Sequence, residues 1–240
     1  MRVLDLFCGL KGWSTPFAEA GHDVTTLDIE ERFEPTIAAD VLAANFEPGQ
    51  FDIVLASPPC EKFSILAIGR AWLPGYVPRH DGTRLAMDIV LKTVDIIETV
   101  RPSFWVIENP VGMLRKLNLI PYERGTVTYC QYGAPWRKPT DLWGGFPPSL
   151  ELRRRCRNGD ACHIASPRGS TTGVQGGGSR LDASSWGWDA RTGSASQERK
   201  DQAAIRAQIP AALANDVRNA AERDLALGRR AADYSGRLFA

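Results

Sequence analysis

No run of about eighteen consecutive apolar residues occurs in this 240-residue chain, so a membrane-spanning helix is not expected. A charged leader ahead of an apolar stretch is also missing, since the chain enters a strand-like run at Arg2, and no signal peptide is expected. Charge of one sign is scarce. With 29 Lys and Arg against 28 Asp and Glu, the formal net charge is +1. That balance excludes a uniformly basic nucleic-acid binder and leaves such contacts to local patches. Cysteines number five, with no repeating spacing. An odd, irregular set argues against a disulfide scaffold and for a reducing, cytoplasmic setting. Internal repeats are absent from the sequence.

What is present is enough apolar material, 43% of residues, for one sizeable core and a small appendage. From Met1 to about Trp143, strand-like and helix-like patterns alternate. Strands are expected at Val3–Leu6, Val24–Leu27, Phe51–Ala56, Phe104–Ile107, Thr126–Cys130 and Thr140–Trp143. Helices are expected near Thr15–Ala20 and Arg84–Val100, the latter with Leu85, Ile89, Val94 and Ile97 at roughly helical spacing. This alternation predicts an α/β fold with a doubly wound, mostly parallel sheet. The catalytic and cofactor domain is therefore expected over residues 1–143. Residues 144–201 are rich in Gly, Ser and Arg and hold too little apolar surface for a core of their own. An Ala-rich helical pattern returns over 202–240, as a helix packing back on the first domain.

The most informative stretch is Ser57-Pro58-Pro59-Cys60-Glu61-Lys62-Phe63-Ser64, directly after the apolar run Phe51–Ala56. Two prolines cannot donate to a sheet ladder, so the strand must stop and the chain must leave the sheet there. Ligands of open α/β sheets bind in the crevice outside the carboxyl ends of the strands. Most free cysteines simply pack as small hydrophobes. A thiol delivered to that crevice is instead in place to act as a nucleophile.

The run Pro59-Cys60-Glu61-Lys62-Phe63-Ser64 resembles the catalytic motif of the cytosine-C5 DNA methyltransferases, Pro-Cys-Gln-x-Phe-Ser, with Glu61 replacing Gln. Asp5-Leu6-Phe7-Cys8-Gly9-Leu10-Lys11-Gly12 resembles that family's S-adenosylmethionine loop, and Glu108-Asn109-Pro110 its second catalytic motif. The resemblance implies a Rossmann-like fold of the S-adenosylmethionine-dependent type. It implies cofactor contacts from Phe7, Gly9, Leu10, Gly12 and Pro59, a ribose contact from Asp28, an adenine face against Ile29, and adenine recognition by Asp40 and Val41. It implies Cys60 as the nucleophile and Glu108 as the group that holds or protonates ring N3. Gln131–Lys138 resembles the segment whose spaced arginines touch the target base, and Arg137 is the match if one residue is missing. Ile205–Pro210 resembles the last motif, without its Gly-Asn.

The chain is thus identified as a small phage- or prokaryote-type member acting on double-stranded DNA, expected to be monomeric and cytoplasmic. Ile65–Thr83, with its Gly, Pro and aromatic residues, reads as a mobile loop closing over a flipped base. Base reading is expected from Arg153–Arg157 and the Ser166–Ser170 turn, over a site of roughly two to four base pairs. Two other readings fit the fold: an RNA methyltransferase and a silent DNA-binding accessory. The first lacks a cysteine beside Glu108, and the second does not need both Cys60 and Glu108. Cys156, Cys162 and His163 invite a zinc reading. Their spacing is poor for it, because Cys162 and His163 are adjacent and a fourth ligand must come from as far as Cys130.

Overall fold

The computed structural model describes residues 1–134, 136–157, 159–163, 204–205 and 207–231. Its centre is a sheet built from β1 (Arg2–Leu6), β2 (Asp23–Asp28), β3 (Ile37–Ala38), β4 (Ile53–Ala56), β7 (Phe104–Pro110), β8 (Arg124–Thr128) and β9 (Pro139–Gly145). The spatial order is β3-β2-β1-β4-β7-β9-β8. The first five run parallel, and β9 is antiparallel to both β7 and β8. Parallel strands covered on both faces need side chains that are apolar throughout. All four residues of β4 and all seven of β7 are buried.

Alternation along the strands divides the core in two. Leu4, Leu6, Val54, Trp105 and Ile107 face Val90, Val94 and Ile97 of α3 (Asp81–Val100). Val3, Ile53, Leu55, Phe104 and Val106 face the other way, with Trp13, Phe17 of α1 (Ser14–Glu19), and Leu213, Ala214 and Val217 of α4 (Ala211–Ala226). The buried stripe of α3 runs through Ala86, Val90, Val94 and Ile97, whereas Leu85 is 49% exposed. The inward face is therefore rotated by about one residue from the sequence expectation. Ala86 is small enough to sit close to the sheet, which the hydrophobic pattern alone does not reveal.

Register fixes where the functional loops emerge. Leu6 lies opposite Leu27 and Ala56, and Ala56 lies opposite Ile107. The carboxyl ends of β1, β2, β4 and β7 thus finish in one row. The strand order reverses between β1 and β4, which opens a crevice at that point.

Two expectations need correcting here. Tyr129 and Cys130 are not in the strand: β8 stops at Thr128, and Tyr129–Tyr132 forms a 3-10 turn closed by Gly133. Ile65–Thr83, expected as a mobile loop and not a packed element, is partly packed. It holds a 3-10 turn at Ile65–Ala67, the short helix α2 (Ile68–Ala71), and an antiparallel pair of β5 (Trp72–Leu73) and β6 (Val77–Pro78). Trp72 anchors it, buried and donating from Nε1 to the Lys62 carbonyl at 2.6 Å. The burial of Ala67, Ala71 and Trp72 supplies a small core that the Gly and Pro content obscures. Among the described residues, no helix is long and apolar enough to cross a membrane.

Candidate active site

The turn after β1 is held from the next strand. Phe7 and Cys8 donate their backbone N–H to the Leu27 carbonyl, and Gly9 donates to Asp28 Oδ2 at 2.9 Å. The other Asp28 oxygen accepts from Glu30 N–H, also at 2.9 Å. One carboxylate therefore fixes two loops that face the crevice. Gly12 is required by close approach: a Cβ there would lie 2.7 Å from the backbone nitrogen of Ile209. Ile209, in the segment expected to resemble the last motif, is thereby brought against the glycine turn.

At the end of β4, Pro58 is buried and Cys60 half-buried. The Cys60 carbonyl accepts from the N–H groups of Phe63 and Ser64, which coils the motif into a tight turn. That turn packs on the loop after β7. Met113 donates to the Phe63 carbonyl, and Gly112 has no room for a side chain because Phe63 O occupies the Cβ position. Asn109 Nδ2 donates to the Pro58 carbonyl at 2.9 Å inside the protein. The two strand-end motifs are thus bonded directly to each other.

Glu108 is 4% exposed and is not left unpaired. Tyr129 Oη donates to Glu108 Oε1 at 2.8 Å, and Lys138 Nζ approaches the same oxygen at 3.3 Å. Lys138 also lies over the Tyr129 ring, 4.5 Å from its centroid. Burial pushes the Cys60 thiol above its ordinary value; Lys138 opposes that rise, while Glu108 and Glu61 add to it. A cation beside a partly buried thiol favours the thiolate, the form that attacks carbon.

These groups share one cleft of about 340 Å³. Its walls include Phe7, Gly9, Leu10, Gly12, Pro59, Cys60 and Glu108, all expected from the sequence, together with Lys138 and Gln208. Arg137 is elsewhere: its Nη2 donates to the carbonyl of Cys156 at 3.4 Å, and the basic residue at the site is Lys138. Adjacent residues of an extended chain point to opposite sides, so only one of the pair can face Glu108.

The residues expected at the adenine subsite take different positions. Ile29 is 66% exposed, and Glu30, Arg32 and Phe33 line the cleft instead, with the Arg32 guanidinium 4.4 Å from the Phe33 centroid. Asp40 is exposed and its Oδ1 accepts from Leu42 N–H, capping a 3-10 turn. Val41 is a core residue at 3% exposure. Asp28 holds the Gly9 and Glu30 loops and does not itself line the cleft.

Of the residues expected to read bases, Arg153 is occupied. It pairs with Asp216 at 3.0 Å, donates to the Gln131 carbonyl and covers the Tyr132 ring. Arg154, Arg155 and Arg157 are exposed. Ser166–Ser170 lies outside the described residues.

Comparison with known proteins shows the family. The family model described as C-5 cytosine-specific DNA methylase matches residues 1–120. A Frog virus 3 (isolate Goorha) protein named "Probable DNA (cytosine-5)-methyltransferase" is 30% identical over 172 residues, covering 66% of this chain and 78% of the viral one. The "Type II methyltransferase M.AgeI" of Thalassovita gelatinovora is 26% identical over 171 residues, covering 56% of this chain and 37% of its own. The chain thus spans most of the viral relative and little more than a third of the second. Among solved structures, the Entamoeba histolytica methyltransferase EhMeth superposes with a TM-score of 0.45 at 15% identity, over 65% of this chain and 57% of that one.

Proposed function

The chain belongs to the C-5 cytosine-specific DNA methylase family, and on that premise we propose that it methylates C5 of a cytosine flipped out of double-stranded DNA. The observation that carries this reading is the shared cleft. Cys60, Glu108 and the glycine turn after β1 line one crevice, and Asn109 bonds the two catalytic motifs together.

The glycine turn and the walls formed by Phe7, Leu10, Gly12 and Pro59 suit S-adenosylmethionine. Two observations support that fit. The turn takes positive φ at Phe7, Gly9 and Lys11, and Gly9 borders the cleft with open space where a side chain would stand. When bound, the cofactor supplies an electrophilic methyl group.

Cytosine C5 is a poor nucleophile. Addition of the Cys60 thiolate to C6 forms an S–C bond and moves electron density to C5, with the protonated Glu108 carboxyl donating to N3 as charge develops there. Once C5 carries the methyl group, whose bond to the cofactor sulfur would break with its electron pair left on that sulfur, a base takes the C5 proton and the Cys60–C6 bond breaks with its electron pair returning to the Cys60 sulfur. Lys138 keeps the thiolate accessible and balances Glu108. C6 cannot be reached inside the stack, so the base must leave the duplex.

DNA containing 5-fluorocytosine tests the step directly. Fluorine at C5 blocks the final elimination, so wild-type protein should form a denaturant-stable adduct, and Cys60→Ser should form none. A protein that methylates cytosine yet never forms the adduct would overturn the Cys60 assignment. Bisulfite sequencing of DNA from cells with and without the chain would report base and sequence context together.

A further inference from the structure

Four potential metal ligands converge beside Tyr129, the partner of Glu108. Cys130 is in the 3-10 turn after β8, Cys156 lies on the segment leaving β9, and Cys162 and His163 follow the turn at 157–160. Cys130 Sγ is 3.1 Å from Cys156 Sγ and 3.7 Å from Cys162 Sγ. His163 Nδ1 is 3.7 Å from Cys156 Sγ and 3.3 Å from Cys162 Sγ. All four ligand atoms fall within 4.8 Å of one another.

We propose that Cys130, Cys156, Cys162 and His163 form a tetrahedral Cys3His site for a structural zinc ion. Zinc–sulfur bonds of about 2.3 Å and zinc–nitrogen bonds of about 2.0 Å give tetrahedral edges of roughly 3.4–3.8 Å. Four of the six separations, 3.1–3.7 Å, lie near those edges, and the other two are no longer than 4.8 Å. A disulfide would need sulfurs about 2.05 Å apart, well inside the 3.1 Å found between the nearest pair. Three thiolates and one imidazole make a set that selects zinc over hard cations, and four protein ligands close the site as in structural centres.

The sequence spacing counted against this site because Cys162 and His163 are neighbours. The structure resolves the difficulty through the choice of nitrogen. Nδ1 sits close to the backbone, so the ring and the preceding thiol can address the same point.

The surroundings support the ligands. Gln131 Nε2 donates to Cys162 Sγ at 3.1 Å, and Cys156 N–H donates to Thr128 Oγ1 at 3.1 Å. Such outer hydrogen bonds orient ligands and stabilise thiolate charge. The Arg137 guanidinium, bonded to the Cys156 carbonyl, offsets the net negative charge of a three-thiolate zinc centre. This gives Arg137 a place in the molecule outside the catalytic cleft. The site pins the segment leading into residues 164–203 to the same turn that carries Tyr129, the partner of Glu108.

Metal content of the full chain, purified under reducing conditions from zinc-supplemented medium, tests the proposal independently of any methylation activity. About one zinc per chain is expected, and the cobalt-substituted protein should show the strong visible absorption of a tetrahedral thiolate site. Cys162 is at the surface, so Cys162→Ala should fold, as checked by circular dichroism, yet hold zinc at least tenfold more weakly. A chelator should lower the melting temperature of the wild type and leave that of Cys162→Ala nearly unchanged. Zinc-free wild-type protein with all cysteines titrating as free thiols, or equal zinc content in wild type and Cys162→Ala, would overturn it.

Discussion

Asn109 reaches across from β7 and donates its side-chain N–H to the backbone carbonyl of Pro58 at 2.9 Å, with no exposure to solvent. That carbonyl would otherwise be an unsatisfied buried acceptor, because the prolines after β4 end the ladder. Removing the partner of a buried polar group costs about 1–3 kcal/mol. Asn109→Ala should therefore destabilise the fold by that amount in urea unfolding, and lower single-turnover methylation because the Cys60 turn loses its tie to Glu108. Cofactor affinity should change little, since the Gly9 turn is held from β2. A variant with unaltered stability and turnover would show that the bond does not position Cys60.

Lys138 acts through Cys60 and Glu108, so it is a positioning residue. Burial raises the Cys60 thiol and the Lys138 charge counters that rise. Lys138→Met should push the thiol higher still, moving the alkaline rise of kcat/KM to higher pH. Peptide-resolved alkylation of Cys60 against pH should shift the same way, and Lys138→Arg should recover part of the loss. Identical pH profiles in wild type and Lys138→Met would overturn the electrostatic role.

Asp28 and Asp40 separate in the structure although the sequence presents them as a pair. Asp28→Ala removes the acceptor for both Gly9 and Glu30 N–H, and should weaken S-adenosylhomocysteine binding by roughly 1–3 kcal/mol. Asp40→Ala removes only an exposed cap, a change expected to cost about 0.5–1 kcal/mol of stability with much less effect on affinity. Titration calorimetry on both variants decides this. Equal losses of affinity would place Asp40 at the cofactor after all.

The parallel core was legible because β4 is apolar throughout and β1 and β7 carry the apolar runs Val3-Leu4 and Phe104–Ile107, with Gly9, Pro58 and Pro110 marking where the chain leaves the sheet. Cys60, Glu108 and the glycine turn follow from those ends. Lys138 was not legible. Whether Arg137 or Lys138 faces the cleft depends on Pro139 lying opposite Thr128, a register set by pairing with β8 and invisible in the local sequence. Tyr129 was hidden for the same reason, since it leaves β8 just where the strand stops. The cysteine cluster draws on residues 33 positions apart, from Cys130 to His163, and only the return of the chain past β8 brings them together.

Asp5 gives the clearest pH signature. It is 1% exposed on β1, and neither carboxyl oxygen reaches a partner in full hydrogen-bond geometry. Burial pushes its carboxyl up to about 7, with Ser14 offsetting part of the cost and Asp28 adding to it. An unfolded chain releases that proton near pH ~3.9. Between the two values the folded state binds more protons, so this residue's contribution to stability falls as pH rises from about 4 to about 7 and is level above. A shift of that size corresponds to an effect on the order of 2–4 kcal/mol. Asp5→Asn keeps the shape and removes the titration. The variant should gain on the wild type steadily as pH rises through this window, with the full advantage reached above neutrality. Urea unfolding of both proteins at several pH values measures that gap, and a gap independent of pH would show that Asp5 is ionised in the folded state at no cost.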